Sequence, residues 1–110
     1  MQSEIKLQAE CFQWHWNTYI HERGLLCYNL NNSANKIQGN QNKALGLIKG
    51  RSDMVLYRKS GVIFLEFKTE SGAQSTAQKG WQAIVEAQGF RYEIIRNFEE
   101  FKNIISAGLF

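Results

Sequence analysis

Met54-Val55-Leu56-Tyr57-Arg58-Lys59-Ser60-Gly61-Val62-Ile63-Phe64-Leu65-Glu66-Phe67-Lys68 reads as two β-rich runs around a Ser-Gly turn, a hairpin signal. Val62 to Leu65 is apolar at every position, the pattern of a central strand covered on both faces. Glu66 and Lys68 follow in the same strand. Side chains two apart in a strand share a face, so this Glu and Lys are neighbours. Charges placed beside a buried strand are costly unless they pair or bind an ion. The midpoint between residues 53 and 66 falls at the Lys59-Ser60 junction. Folding back on that turn sets Asp53 opposite Glu66, or within a residue or two of it, with Cβ atoms about 4.5–5.5 Å apart.

Nine of the ten acidic residues are Glu, which makes Asp53 the single Asp of the chain. Two carboxylates that close repel unless one is protonated or a cation lies between them. A hard divalent ion such as Mg²⁺ suits the second solution. Lys68 beside the pair is placed to orient a water or to stabilise charge on a phosphate, so the cluster reads as metal-assisted phosphodiester hydrolysis. Lys43, Lys49 and Arg51 lie just upstream, where they are placed to contact a nucleic-acid backbone. The competing reading is an ordinary solvated strand end with a cross-strand salt bridge.

Outward from the hairpin, a first helix is expected from about Ser3, its N-cap, to Glu22, with Gly24 as the stop. Ile5, Ala9, Phe12, Trp16 and Tyr19 define the expected core stripe. Leu7, Cys11 and Trp14 form a second apolar stripe on nearly the opposite face, more than a small chain easily buries. Leu25 to Asn29 is a strand candidate. Asn29 to Asn42 is rich in amides and reads as a long loop. Ala44 to Ile48 reads as a helical turn or two, stopped at Gly50. Ser75-Thr76-Ala77-Gln78 is a capping box opening a helix closed by Gly89, with Ala77, Trp81, Ile84 and Val85 on one face. Phe90, Tyr92 and Ile94 alternate as a strand, and Asn97 to Glu100 caps a last helix carrying Phe98, Phe101, Ile104 and Ile105. The order is α-β-β-β-α-β-α, an α/β arrangement with a mixed sheet and helices packed on it.

The 110 residues fit one domain, and 44% hydrophobic with 13% aromatic content argues against disorder. No apolar run approaches the roughly 18 residues of a membrane span, and Met1-Gln2-Ser3-Glu4-Ile5-Lys6 lacks the charged-then-apolar layout expected of a secretion signal. Two cysteines are too few for a disulfide framework and read as reduced thiols of a cytoplasmic protein. A zinc site from Cys11, His15, His21 and Cys27 lacks a recognisable spacing. The net charge of +3 is compatible with a phosphate-rich partner.

Gly50-Arg51-Ser52-Asp53, then Phe64-Leu65-Glu66-Phe67-Lys68, then Gly72-Ala73-Gln74-Ser75-Thr76-Ala77-Gln78-Lys79-Gly80-Trp81 resembles the virus-type replication-repair nuclease (VRR-NUC) family of the PD-(D/E)XK nuclease superfamily. Ser3-Glu4-Ile5-Lys6-Leu7-Gln8, with Trp14 and Tyr19 behind it, resembles the start of its stand-alone members. The likeness spans residues 1–110 as one nuclease domain of restriction-endonuclease-like fold. Ser52 stands where the superfamily name implies Pro, and the segment after Asn29 lacks the Pro-Asn-Gly start of relatives.

The resemblance implies a Mg²⁺- or Mn²⁺-dependent DNA endonuclease without a small-molecule cofactor, acting on branched DNA such as four-way junctions. Asp53, Glu66 and the Phe67 backbone carbonyl fall on the metal ligands and Lys68 on the catalytic lysine. Glu4 falls on the N-terminal acidic position, with Glu10 an alternative, and Gln78 on the family glutamine. Gln78 is equally explained as the partner of Ser75, and Glu4 as a complement to the helix dipole. Lys36, Lys43, Lys49 and Arg51 are the expected nucleic-acid contacts, or plain solvated charges. Paired cuts imply a homodimer, for which Leu7, Cys11 and Trp14 offer a self-complementary patch. The alternatives are a nucleic-acid-binding module that keeps the fold without catalysis, and a hydrolase of small phosphorylated substrates.

Overall fold

The helix starts signalled at Ser3, Ser75 and Asn97 recur as hydrogen bonds. The computed structural model describes residues 2–29 and 35–107. Along them run α1 (Glu4–Thr18), a 3₁₀ turn (Ile20–Glu22), β1 (Leu26–Tyr28), α2 (Lys36–Ala44), β2 (Met54–Arg58), β3 (Gly61–Phe67), α3 (Thr76–Ala87), β4 (Arg91–Ile95) and α4 (Phe98–Ala107). The Ser3 side chain accepts from the Lys6 N–H at α1. Ser75 and Gln78 form the reciprocal capping box at α3. Asn97 Oδ1 accepts from the Glu100 N–H at 2.9 Å at α4.

The strands form one sheet in the order β1-β2-β3-β4. The first two pairings are antiparallel, while β3 and β4 run parallel, joined through α3. Because β3 is central, both of its faces are covered. Ile63, Leu65 and Phe67 pack with Leu7 and Cys11 of α1 and with Phe101 and Ile105 of α4. Phe64, on the opposite face, meets Trp81 of α3 edge-on at 5.0 Å, and Trp81 meets Tyr92 at 6.0 Å. The predicted mixed sheet flanked by helices is therefore the architecture adopted.

Three expectations are corrected. The burial of α1 is shifted toward the second stripe: Leu7, Cys11 and His15 are buried, while Ile5 is 82% exposed and Trp16 41% exposed, and of the expected core stripe only Phe12 and Tyr19 pack, half-buried, against the core. Trp14 packs inward too, within 6.0 Å of Phe98 and Phe101 and 5.6 Å of Tyr19. Leu7, Cys11 and Trp14 thus belong to the core and do not form an interface patch. The reason is what α1 meets. The rings of Phe98 and Phe101 on α4 take up Trp14, and Glu22 satisfies His15 at 2.8 Å.

The amide-rich segment is in part a helix, α2, although residues 30–34 of the predicted loop lie outside the described residues. Asn35 caps α2 by accepting from the Gln38 N–H at 2.8 Å. No side chain of α2 is buried, so the helix leaves no apolar period to read. The helical turns expected over Ala44–Ile48 are instead the end of α2 and its exit, where Gly46 has φ +101°. The chain order gains one helix as a result.

Gly50 leads from this exit into β2. It has φ +88°, and a Cβ there would lie 2.5 Å from the Ala77 carbonyl and 2.8 Å from the Gln78 nitrogen. The loop before Asp53 is thereby seated on the first turn of α3. Gly50→Ala meets both left-handed strain and a backbone clash, and is expected to cost about 2 kcal/mol or more. Denaturant unfolding measures this; an unchanged midpoint would contradict the seating.

Candidate active site

Backbone pairing brings the two carboxylates together. Met54 pairs with Leu65, so one further step along the ladder sets Asp53 opposite Glu66, as the turn arithmetic expects. Asp53 Oδ2 then accepts from the Phe67 N–H at 2.7 Å, which folds its carboxylate over the end of β3. Asn29 braces the other side. Its N–H donates to the Asp53 carbonyl at 2.9 Å, and its side-chain amide donates to the Ser52 carbonyl at 3.1 Å. Ser52 is fully buried and donates its hydroxyl to the Met54 carbonyl at 3.1 Å.

Glu66 has no exposed surface. Its Oε1 accepts from the Tyr92 hydroxyl and from the Gln74 amide, the latter at 3.1 Å. The same Gln74 nitrogen donates to Gln82 Oε1 at 2.8 Å. Glu66 Oε2 is buried and has no hydrogen-bond partner among the described residues. A buried unpaired acceptor costs about 1–3 kcal/mol, more if charged, so this oxygen is a ready ligand for a cation.

Lys68 shares the face of Glu66, two residues on, and is 9% exposed. The loop after it is held by Arg96, whose guanidinium donates to the Thr69 carbonyl at 2.8 Å and to the Gly72 carbonyl at 2.6 Å.

The electrostatics suit a cation. Burial, foremost, raises the Asp53 carboxyl above its ordinary pKa; the negative charges of Glu66 and Glu4 add to the rise, while the Phe67 N–H and Lys68 oppose it. The Tyr92 hydroxyl is pushed far up by burial and by Glu66, so it stays a donor. Asp53 and Glu66, a hard-oxygen set with one unpaired buried oxygen, fit a Mg²⁺-like ion.

The other predicted residues are placed unevenly. Glu4 stands exposed in the first turn of α1 and acts on Asp53 through its charge. It does not complete a ligand set: among the described residues, no three His, Cys, Asp or Glu groups converge closely enough to hold a metal. The alternative, Glu10, accepts from Gln2 at 2.9 Å. Gln78 spends its side-chain oxygen on the Ser75 N–H at 2.8 Å, so the glutamine that touches Glu66 is Gln74.

Lys36 and Lys43 are exposed on α2, seven residues and two turns apart, and therefore on one face. Lys49 is exposed, and Arg51 is half-buried with Nη2 3.4 Å from Asn29 Oδ1. Gln74, Tyr92, Gln82 and Asn29 escaped sequence reasoning. Tyr92 carried one usable signal, its phase in β4, which sets it on the sheet face shared by Phe64 and Glu66.

No family model matches the chain, and no curated protein matches it in sequence. Among solved structures, it is similar to a VRR_NUC domain protein with a TM-score of 0.80 and 13% identity, covering 97% of this chain and 88% of that one. The chain has the VRR-NUC fold.

Proposed function

We propose, from this nuclease-type fold and the unpaired buried oxygen of Glu66, that the protein is a Mg²⁺- or Mn²⁺-dependent DNA endonuclease. The observation that carries the reading is the buried, unpartnered Oε2 of Glu66 at the end of the hairpin, where Asp53 lies one step beyond the Met54–Leu65 pair and Lys68 shares the face of Glu66. Asp53, Glu66 Oε2 and the Phe67 carbonyl would hold the ion. When bound, the ion lowers the pKa of water and neutralises charge growing on the phosphate. Lys68 directs its ammonium donors at the attacking water or at a phosphate oxygen, and the low exposure of the site strengthens that contact. Glu4 adds negative charge at the rim. Lys36, Lys43, Lys49 and Arg51 supply phosphate contacts that set orientation without reading sequence.

Branched DNA is the proposed substrate, with a second copy of the chain supplying the second cut. The exposed face of α1 offers the contact: Ile5 and Trp16 are uncovered, and Ile5, Gln8, Ala9, Phe12, Tyr28 and Met54 line an apolar groove of about 460 Å³. Sedimentation at tens of micromolar is expected to give a dimer that Trp16→Asp weakens about tenfold or more. A wild-type monomer would count against this assembly.

The deciding experiment incubates a labelled four-way junction, a linear duplex and a single strand with protein and Mg²⁺ or Mn²⁺. Metal-dependent cleavage of the junction, lost in Lys68→Ala, is expected. Binding without cutting, unchanged by Lys68→Ala, would sink the nuclease reading.

A further inference from the structure

Glu66 is held by one oxygen and free at the other, and this asymmetry has a consequence for which ions bind. A carboxylate oxygen carries two lone pairs. On Oε1 they meet the Tyr92 hydroxyl and the Gln74 amide, while Oε2 meets no protein donor among the described residues. Both donors are themselves fixed. Gln74 donates its second amide hydrogen to Gln82, which donates to Glu86 Oε2 at 3.3 Å, so an amide flip would oppose acceptor to acceptor. The Tyr92 ring packs edge-on against Trp81, which packs against Phe64 at the centre of the sheet.

We propose that Tyr92 and Gln74 are positioning residues that confine Glu66 to one-oxygen ligation, and so select small octahedral ions over Ca²⁺. The inference rests on the metal-dependent reading above and deepens it. Ca²⁺ takes six to eight oxygens and readily accepts a carboxylate through both, at about 2.3–2.6 Å. Two-oxygen ligation by Glu66 would break at least one of the two bonds to Oε1 and leave a buried donor unsatisfied. Mg²⁺ and Mn²⁺ require one oxygen only, and Oε2 supplies it without disturbing the network.

The test titrates the metal-free protein with Mn²⁺, following free Mn²⁺ by EPR, and then displaces it with Mg²⁺ or Ca²⁺. Tyr92→Phe keeps the ring and removes the hydroxyl. Gln74→Met keeps the length of a half-buried loop side chain and gives an independent variant should the first fail to fold. Each is expected to weaken Mn²⁺ and Mg²⁺ about tenfold, within the range seen for groups that orient metal ligands, and to shift the Ca²⁺-to-Mg²⁺ preference toward Ca²⁺. A purely structural role would lower the melting temperature and leave that preference unmoved, which overturns the proposal. Wild-type protein that binds no Mn²⁺ overturns the metal-dependent reading itself. Wild-type binding with an unshifted preference in the variants overturns only this inference.

Discussion

Asp53→Asn is expected to reduce metal-dependent cleavage by at least about 10²–10³-fold while raising the melting temperature of the metal-free protein. The two effects share one cause. Asp53 is held against Glu66 and near Glu4, and burial with like charge raises its pKa above the unfolded value. A raised carboxyl pKa means that the folded state binds more protons than the unfolded state. Its favourable contribution is complete below the unfolded value, near 3.8, and is lost as the pH climbs through the folded value. At neutral pH the ionised Asp53 therefore works against folding. Asn removes that charge and still offers an oxygen to the Phe67 N–H, which now lies 2.7 Å from Oδ2.

The gain, a few degrees, is expected at pH 7 and is expected to vanish near pH 3. With saturating Mg²⁺ or Mn²⁺ the order reverses, because binding to the folded state stabilises only the wild type, by about 2.7 kcal/mol at a hundredfold excess over Kd. Thermal unfolding with and without metal checks both halves. A variant no more stable than wild type in chelator would show that the carboxylates are not in conflict. A variant that still cuts would remove Asp53 from the machinery, since losing one group that stabilises developing charge ordinarily costs 10²–10³-fold.

The second large effect lies away from the site. Glu22→Ala is expected to destabilise the fold by about 2–4 kcal/mol. Glu22, in the 3₁₀ turn after α1, sets Oε1 2.8 Å from His15 Nε2 and 3.0 Å from Arg58 Nη2, with Oε2 2.8 Å from Arg58 Nε. Arg58 also donates to the Ile105 carbonyl at 3.0 Å, so one carboxylate ties α1, β2 and α4 together. His15 is buried, and removing Glu22 takes away the carboxylate that meets its Nε2, while Arg58 keeps its bond to the Ile105 carbonyl. The partial exposure of Glu22 moderates the loss through solvent screening.

Burial pushes the Glu22 pKa up, but the hydrogen bonds and charges of Arg58 and His15 outweigh it, and the net shift is downward. Stability from this group is therefore present above about pH 4.5 and lost as the pH falls through the lowered value. Wild type should lose stability on acidification more steeply than Glu22→Ala. Denaturant titrations from pH 7 to pH 3 measure it, and parallel profiles would count against the cluster.

What the chain determines alone is what a short period and a local hydrogen bond can encode. The turn at Lys59-Ser60 and a two-residue side-chain period suffice to set Asp53 across from Glu66 and Lys68 beside it, because a register slip would expose an entire apolar row. Ser3, Ser75 and Asn97 cap their helices through bonds spanning three residues. What tertiary structure decided is every choice between locally equal options. Both stripes of α1 are apolar, and their packing against β3 and the rings of α4, with the Glu22 carboxylate meeting His15, places Leu7, Cys11 and Trp14 in the interior. The helix α2 buries nothing, so no periodicity announces it. Tyr92 reaches Glu66 across 26 residues, and Gln74 displaces Gln78 from the site because the Ser75 cap consumes the latter's oxygen. A period tells which way a side chain faces, whereas its partner depends on packing between elements distant in sequence.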